Sequence, residues 1–247
     1  MNEQLELFYQ PIVNIAQNRI VGLEGLVRWR HPERGLISPA EFIPVAEETG
    51  LIVALGEWVL RQACADAAKW PNEIKIAVNL SPAQFRSMNL AQTVVDALAT
   101  SGVAPSRLEL EITEEILLGH NHQNLALLQQ LRDLGIQIVI DDFGIGYSSL
   151  NYLRLFPFDR IKIDRSFIND LSSGNDLSFA IVQAVTTLAR ALDVPSTAEG
   201  IETKGQLELV RAAGCTEFQG YLFSKPRPAR ELGQLFHMYT VAAVGAA

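Results

Sequence analysis

The sequence predicts an α/β fold, a modified TIM-type (β/α)8 barrel whose first two strands form a hairpin. Three observations carry this. Short apolar strands alternate with amphipathic helices along the whole chain, which is the pattern of a parallel sheet covered by helices. Eight such strands can be drawn, the number that closes a barrel. The chain has 247 residues, and α/β barrels of about 250 residues commonly form one domain.

The first two strands, residues 5–12 (LELFYQPI) and 20–29 (IVGLEGLVRW), have only VNIAQNR between them, too little for a helix, hence the hairpin. Residues 40–69 read as two helices. The third strand is 74–80 (IKIAVNL) and a helix follows at 88–101. Then come a strand at 108–112 (LELEI), a helix at 121–134, a strand at 136–140 (IQIVI) and a leucine-rich helix at 148–155. A strand at 160–163 (RIKI), a helix at 176–192 and a strand at 195–199 (PSTAE) continue the alternation. A helix at 203–213, a strand at 217–222 (EFQGYL) and a helix at 228–238 complete it. No linker or low-complexity tract interrupts the series, so residues 1–247 read as a single domain, open to being a piece of a longer multidomain protein.

Composition sets limits. Hydrophobic residues make up 48% and charged residues 19%, an ordinary globular balance. A net charge of −8 argues against a general grip on nucleic acid polymers or on anionic membranes. Cys64 and Cys215 have no metal-ligand spacing and read as small core residues of a protein in a reducing, cytoplasmic setting. No apolar run reaches the length of a membrane span; GLIVALGEWVL is too short and carries Glu57. A full-length protein could still be membrane-tethered elsewhere.

The chemistry gathers at the C-terminal ends of the strands, where barrel enzymes build their sites. Glu24, Asn79, Glu111, Asp141 with Asp142, Lys162 with Asp164, Glu199 and Gln219 all fall there. Strand alternation places Glu24 with Arg28, Glu109 with Glu111, and Lys162 with Asp164 on shared faces, opposite aliphatic residues. The oxygen-only set of Glu24, Asn79, Glu111, Asp141, Asp142 and Glu199 suits a hard divalent cation, Mg²⁺ or Mn²⁺. Taken one at a time, these residues have plainer readings. Glu24 and Glu111 could pair with Arg28 and Lys162, Asn79 could cap the turn at NLSP, and Glu199 could simply precede a loop. Taken together, converging carboxylates of one sign call for a cation. Two adjacent aspartates could then serve two metals, if the chain curls at Asp142, a bend that Gly144 and Gly146 would ease.

Eight ordered blocks resemble one family, the EAL-domain cyclic di-GMP phosphodiesterases. They are FYQPIV, EGLVRWRHPERGLISPAEFIPVAEETGLI, VNLSPAQF, LELEITE, IDDFGIGYSSL, IKIDRSFI, AEGIET and QGYLFSKP, and they cover essentially the whole chain. The resemblance implies metal-dependent hydrolysis of cyclic di-GMP to linear pGpG. It implies that Glu24, Asn79, Glu111 and Asp141 bind one cation, with Asp141 bridging to a second held by Asp142 and Glu199. It makes Lys162 and Glu199 the catalytic pair, Lys162 orienting or activating the attacking water. Arg28 is similar to a phosphate-contacting arginine. Gln10, Asp164 and Gln219 correspond to substrate-pocket positions, and Glu114 and Glu202 to residues that steady the neighbouring loops. Two divalent cations, Mg²⁺ or Mn²⁺, are the implied cofactors, with Ca²⁺ an expected inhibitor. A homodimer through the region after Asp142 and an upstream sensor or cyclase domain are the implied partners.

Two positions depart from the family pattern. Gly25 stands where the signature triplet has alanine, and Ile145 where the loop usually has threonine. The first should cost strand stability; the second bears on the loop that follows Asp142. The alternatives are a catalytically weak or silent cyclic di-GMP receptor and, less compatible with the ordered blocks, an unrelated metal-dependent barrel enzyme. Lys162, if surrounded by metals, should have a depressed pKa.

Overall fold

The computed structural model describes residues 4–87, 89–118, 122–145, 156–171 and 176–244. Among these lie ten strands: β1 (Leu5–Asn14), β2 (Arg19–His31), β3 (Gly35–Ile37), β4 (Lys75–Asn79), β5 (Leu108–Thr113), β6 (Gln137–Phe143), β7 (Arg160–Ile163), β8 (Ser196–Ala198), β9 (Glu217–Phe218) and β10 (Arg227–Pro228). The described helices are α1 (Pro39–Glu48), α2 (Leu51–Ala67), α3 (Pro82–Phe85), α4 (Leu90–Ser101), α5 (Glu114–Leu118), α6 (His122–Asp133), α7 (Arg165–Leu171), α8 (Asp176–Ala191), α9 (Lys204–Ala212) and α10 (Leu232–Val244).

The sheet closes on itself. Its order is β10-β1-β9-β8-β7-β6-β5-β4-β2-β3, and a further β1–β2 pairing joins the ends into an eight-stranded barrel, with β3 and β10 as short additions at the rim. The predicted hairpin is present: β1 runs antiparallel to both β2 and β9, whereas β2 and β4 through β9 pair in parallel. The eight predicted barrel strands are all found, some shorter than expected, since 217–222 contracts to Glu217–Phe218.

Helix boundaries follow local chemistry. The predicted 40–69 pair breaks at Gly50, whose φ of 75° is left-handed and cheap for glycine. Helices α3 and α9 open on capping boxes, Ser81 with Gln84 and Thr203 with Gln206. The predicted 228–238 helix starts late, at Leu232, because Pro228 opens a 3-10 turn first. β3, α3, α5, α7 and β10 were not anticipated; all are seven residues or fewer. The helix predicted at 148–155 lies outside the described residues.

Aliphatic residues from the outward faces of the strands and the inward faces of the helices form one core cluster between the two layers, including Leu23, Ile76, Leu110, Ile138 and Ile161. The barrel's own interior is polar. Its lower layer is an ion network: Arg160 lies 2.6 Å from Glu109 and 2.9 Å from Glu217, and Lys75 lies 3.0 Å from Glu109. Two residues beyond Glu109, Arg160 and Glu217 come Glu111, Lys162 and Gln219, and Glu199 follows the end of β8.

Candidate active site

The upper interior layer converges on one ammonium. Lys162 Nζ, 1% exposed, lies 2.9 Å from Glu111, 2.5 Å from Glu199, 3.3 Å from Asp141 and 3.5 Å from Glu24. Register explains the convergence: Asn79 faces Glu111 across β4–β5, and Lys162 faces Thr197 across β7–β8, two residues before Glu199. Each carboxylate stands at a strand's inward face, where alternation sends every second side chain.

The two aspartates reach this centre through a bulge. Between Ile140 and Phe143 of β6 the register slips against Ile161 and Ile163, so three steps on one strand meet two on the other. The extra residue is absorbed at Asp142, whose φ is 53°, a conformation that aspartate tolerates better than most residues. The curl therefore sits at Asp142 itself. Oxygens of Asp141, Asp142 and Glu199 come within 4.8 Å of one another, the spacing of a cation site. The backbone N–H of Asp142 donates to Asp141 Oδ1 (3.0 Å). The turn beyond is held from below by Glu114, whose Oε1 accepts from the N–H of Gly144 at 2.7 Å. A Cβ on Gly144 would stand 3.1 Å from the Phe167 ring, so glycine is favoured there by space as well as by its φ of 98°. Gly146, the other glycine expected to ease the curl, lies outside the described residues.

By the protein's own groups alone, this centre is short of positive charge. Burial raises the Glu111 pKa well above its ordinary value, and the surrounding carboxylates add to that against Lys162. Glu199 is pushed up to about 8, by burial first and then by Asp141 and Glu24, with Lys162 opposing. Asp142 rises to about 6, from burial and from the Asp141 and Asp164 charges. Glu24 differs. Burial works against its ionisation, but Lys162 and the amides of Gln219 and Asn79 outweigh it and hold its pKa down. For Lys162 burial favours the neutral form, yet the four carboxylates prevail and hold its pKa far above the ordinary lysine value. That direction is opposite to the one expected beside metals. Glu111 Oε1 is buried and has no hydrogen-bond partner among the described residues.

The remaining expected residues divide. Arg28 is partly buried, donates to Val27 O (2.9 Å), and sits 5.7 Å over the Phe8 ring. Among the described residues it makes no ion pair, so it is not the counter-ion of Glu24. Asp164 does not pair with Lys162; it accepts from the N–H of Ser166 (2.8 Å) and faces Asp142. Gln10 and Gln219 have amide nitrogens turned to protein acceptors: Gln10 Nε2 to Ser224 O (3.2 Å), Gln219 Nε2 to Glu24 Oε2 (2.5 Å). Glu202 has an exposed side chain, and what steadies its segment is its backbone N–H on Gln206 Oε1 (2.9 Å).

Sequence reasoning missed one feature beside this centre. A cavity of about 310 Å³ opens next to Asn79, walled by Leu26, Ile43, Leu55 and Pro82, with Glu47 on its rim. No single-strand pattern could reveal it, because its walls come from β2, α1, α2 and α3. Gly25 points outward from the barrel: an added Cβ would meet Ala77 O at 3.5 Å and the Tyr9 ring at 3.7 Å, ordinary contacts. Ile145 is 60% exposed, so it is not buried against a helix among the described residues. Cys64 and Cys215 are buried free thiols.

Comparison with known proteins agrees with the fold. The model of the EAL domain family matches residues 1–226. The bifunctional diguanylate cyclase/cyclic di-GMP phosphodiesterase MucR of Pseudomonas aeruginosa is 45% identical over 233 residues, covering 93% of this chain and 34% of that protein. The solved PaMucR phosphodiesterase, a c-di-GMP complex, superimposes with a TM-score of 0.89 at 45% identity, covering 93% of this chain and 94% of that one. BlrP1 of Klebsiella pneumoniae, solved as a manganese/cy-diGMP complex, gives a TM-score of 0.80 at 29% identity, covering 92% of this chain and 57% of that one. The chain spans 27% to 34% of the length of the first four curated relatives it matches. No helix among the described residues is long and apolar enough to cross a membrane.

Proposed function

The chain belongs to the EAL domain family, and from that membership we propose that it is a metal-dependent phosphodiesterase that hydrolyses cyclic di-GMP to linear pGpG. The observation that carries the proposal is the charge at the barrel mouth. Glu24, Glu111, Asp141 and Glu199 surround the ammonium of Lys162, and Asp142 stands beside Asp141 and Glu199. Fully ionised, five carboxylates and one ammonium carry four net negative charges, the complement of two divalent cations. Buried carboxylates are costly without such partners, and an all-oxygen donor set favours Mg²⁺ or Mn²⁺. The orphaned Glu111 Oε1 supports the same fit.

Glu24, Asn79, Glu111 and Asp141 would hold one cation, and Asp141, Asp142 and Glu199 the second. Such a pair supplies water activation and charge neutralisation at the phosphate in an in-line displacement. The chain's own residues do the rest. Arg28 takes a non-bridging phosphate oxygen. Lys162 donates a hydrogen bond that holds the attacking water in line with the scissile P–O3′ bond. Glu199, 2.5 Å from Lys162, accepts the water's proton as the new P–O bond forms. The P–O3′ bond breaks and the 3′-oxygen takes up a proton from solvent, opening the ring to a 5′-phosphate end. The apolar cavity beside Asn79 suits one guanine base, with the Glu47 carboxylate on its rim facing the base's N–H donors. An acidic protein would thus meet an anionic substrate through the cations it gathers.

The proposal is tested by incubating the protein with cyclic di-GMP and Mg²⁺ or Mn²⁺ and separating the nucleotides by chromatography. Wild type should yield pGpG, and Glu24→Ala and Asp141→Asn should yield none while melting as folded proteins. Binding without turnover in wild type would make the domain a receptor instead.

A further inference from the structure

We infer that Gln219 and Gln10 are positioning residues that aim the Glu24 carboxylate, an assignment that rests on the cation-site reading above. A continuous line of hydrogen bonds runs from the β9–β10 segment into the site. Gln10 Nε2 donates to the Ser224 carbonyl at 3.2 Å, Gln219 Nε2 donates to Gln10 Oε1 at 3.3 Å, and the same nitrogen donates to Glu24 Oε2 at 2.5 Å. Gln10 also lies directly opposite Glu24 across the β1–β2 pairing.

The polarity of the line is fixed at both ends. The Ser224 carbonyl can only accept, so Gln10 must turn its nitrogen to it and its oxygen to Gln219. The Glu24 carboxylate likewise only accepts, so Gln219 must present N–H groups on both sides. Flipping either amide would set oxygen against oxygen inside a buried site, since Gln10, Gln219 and Glu24 are all under 9% exposed. On its other side Glu24 Oε1 is gripped by Asn79 Nδ2 at 2.7 Å. Each Glu24 oxygen thus has one amide donor that sets its direction, with Lys162 Nζ farther off at 3.5 Å from Oε2, leaving lone pairs for a divalent cation. Asn79 spends its nitrogen on that grip and keeps its oxygen free to act as a ligand. Outer hydrogen bonds of this kind typically matter for metal affinity by 10- to 100-fold, by about that order.

A direct substrate role for the two glutamines predicts something different. Gln219 has both amide hydrogens engaged, and only its buried Oε1 lacks a partner. The test is calorimetric titration of Mn²⁺ into substrate-free wild type, Gln219→Met, Gln10→Met and the double variant, with thermal melts beside each. Gln219→Met should weaken Mn²⁺ binding by about 10- to 100-fold. Gln10→Met should weaken it less, and the double variant should be no worse than Gln219→Met, because Gln10 acts through Gln219. With saturating Mn²⁺ the KM for cyclic di-GMP should stay near wild type. Wild-type Mn²⁺ affinity together with a raised KM would overturn the inference and make both residues substrate contacts. If Gln219→Met fails to fold, Gln10→Met decides alone. A wild type that binds no Mn²⁺ overturns the cation reading itself, and this inference with it.

Discussion

Lys162 and its four carboxylates show how much one residue's chemistry depends on its neighbours. Removing the ammonium should cost the transition state far more than the bound substrate. Lys162→Ala is expected to lower kcat by about 10²- to 10⁴-fold with little change in substrate binding. Near-normal kcat would reduce Lys162 to a counter-ion. The raised carboxylates give a pH dependence of definite sign. Asp142, near 6, and Glu199, near 8, hold protons that a cation must displace, so Mn²⁺ affinity should climb as pH rises through that window, with proton release. Because these folded-state values exceed the unfolded ones, the native state binds the extra protons. Without added metal, stability should therefore fall as pH rises from about 4 to 8. Titrations in buffers of different ionisation enthalpy would show the protons; a pH-independent affinity would contradict the arrangement. Gly25 offers a simpler check. Space exists for a methyl group on the outward face, so Gly25→Ala should stabilise the protein by about 0.5–1 kcal/mol in urea denaturation and leave turnover unchanged. The acidic set was legible in the sequence because each member ends an apolar strand. The Gln219–Gln10 line was not, since 209 residues separate its members.

Among the elements, β6 bears most directly on the site. Without the bulge at Asp142, strand alternation would send one aspartate away from the centre. The need for a curl could be read from two adjacent aspartates followed by glycine; its position at a non-glycine residue with φ of 53° could not. Glu114 holds the turn that follows, through the Gly144 N–H at 2.7 Å. Glu114→Ala should therefore raise the Mg²⁺ concentration needed for half-maximal activity. Ile145 sits on that turn with its side chain exposed, where threonine could bond locally and isoleucine cannot. Ile145→Thr should lower the same concentration. Metal titrations at several protein concentrations would compare all three proteins, and superimposable curves would remove the loop from any control of the second cation. The short elements escaped the sequence reading for a physical reason. A two-residue strand such as β10 or a four-residue helix such as α3 is too brief to establish a period, and tertiary pairing alone defines it.

At the scale of the whole molecule the barrel is polar inside, in two layers with different duties. The lower layer is balanced: Arg160 is clamped between Glu109 and Glu217. Glu109 was expected to face inward, but its partners were hidden, because Arg160 opens a strand and Glu217 follows a turn, where charge ordinarily marks a surface. Arg160→Met would leave buried carboxylates without their cation and should cost about 3–5 kcal/mol in urea denaturation. The upper layer is left unbalanced by its own residues, and on that imbalance the functional account depends. The most direct test counts the cations. Mn²⁺ should be titrated into the protein with cyclic di-GMP present and followed by electron paramagnetic resonance. Two ions per barrel with a magnetically coupled spectrum, reduced to at most one in Asp141→Asn, is the result this account predicts. A single uncoupled ion in wild-type protein that still hydrolyses cyclic di-GMP would contradict it.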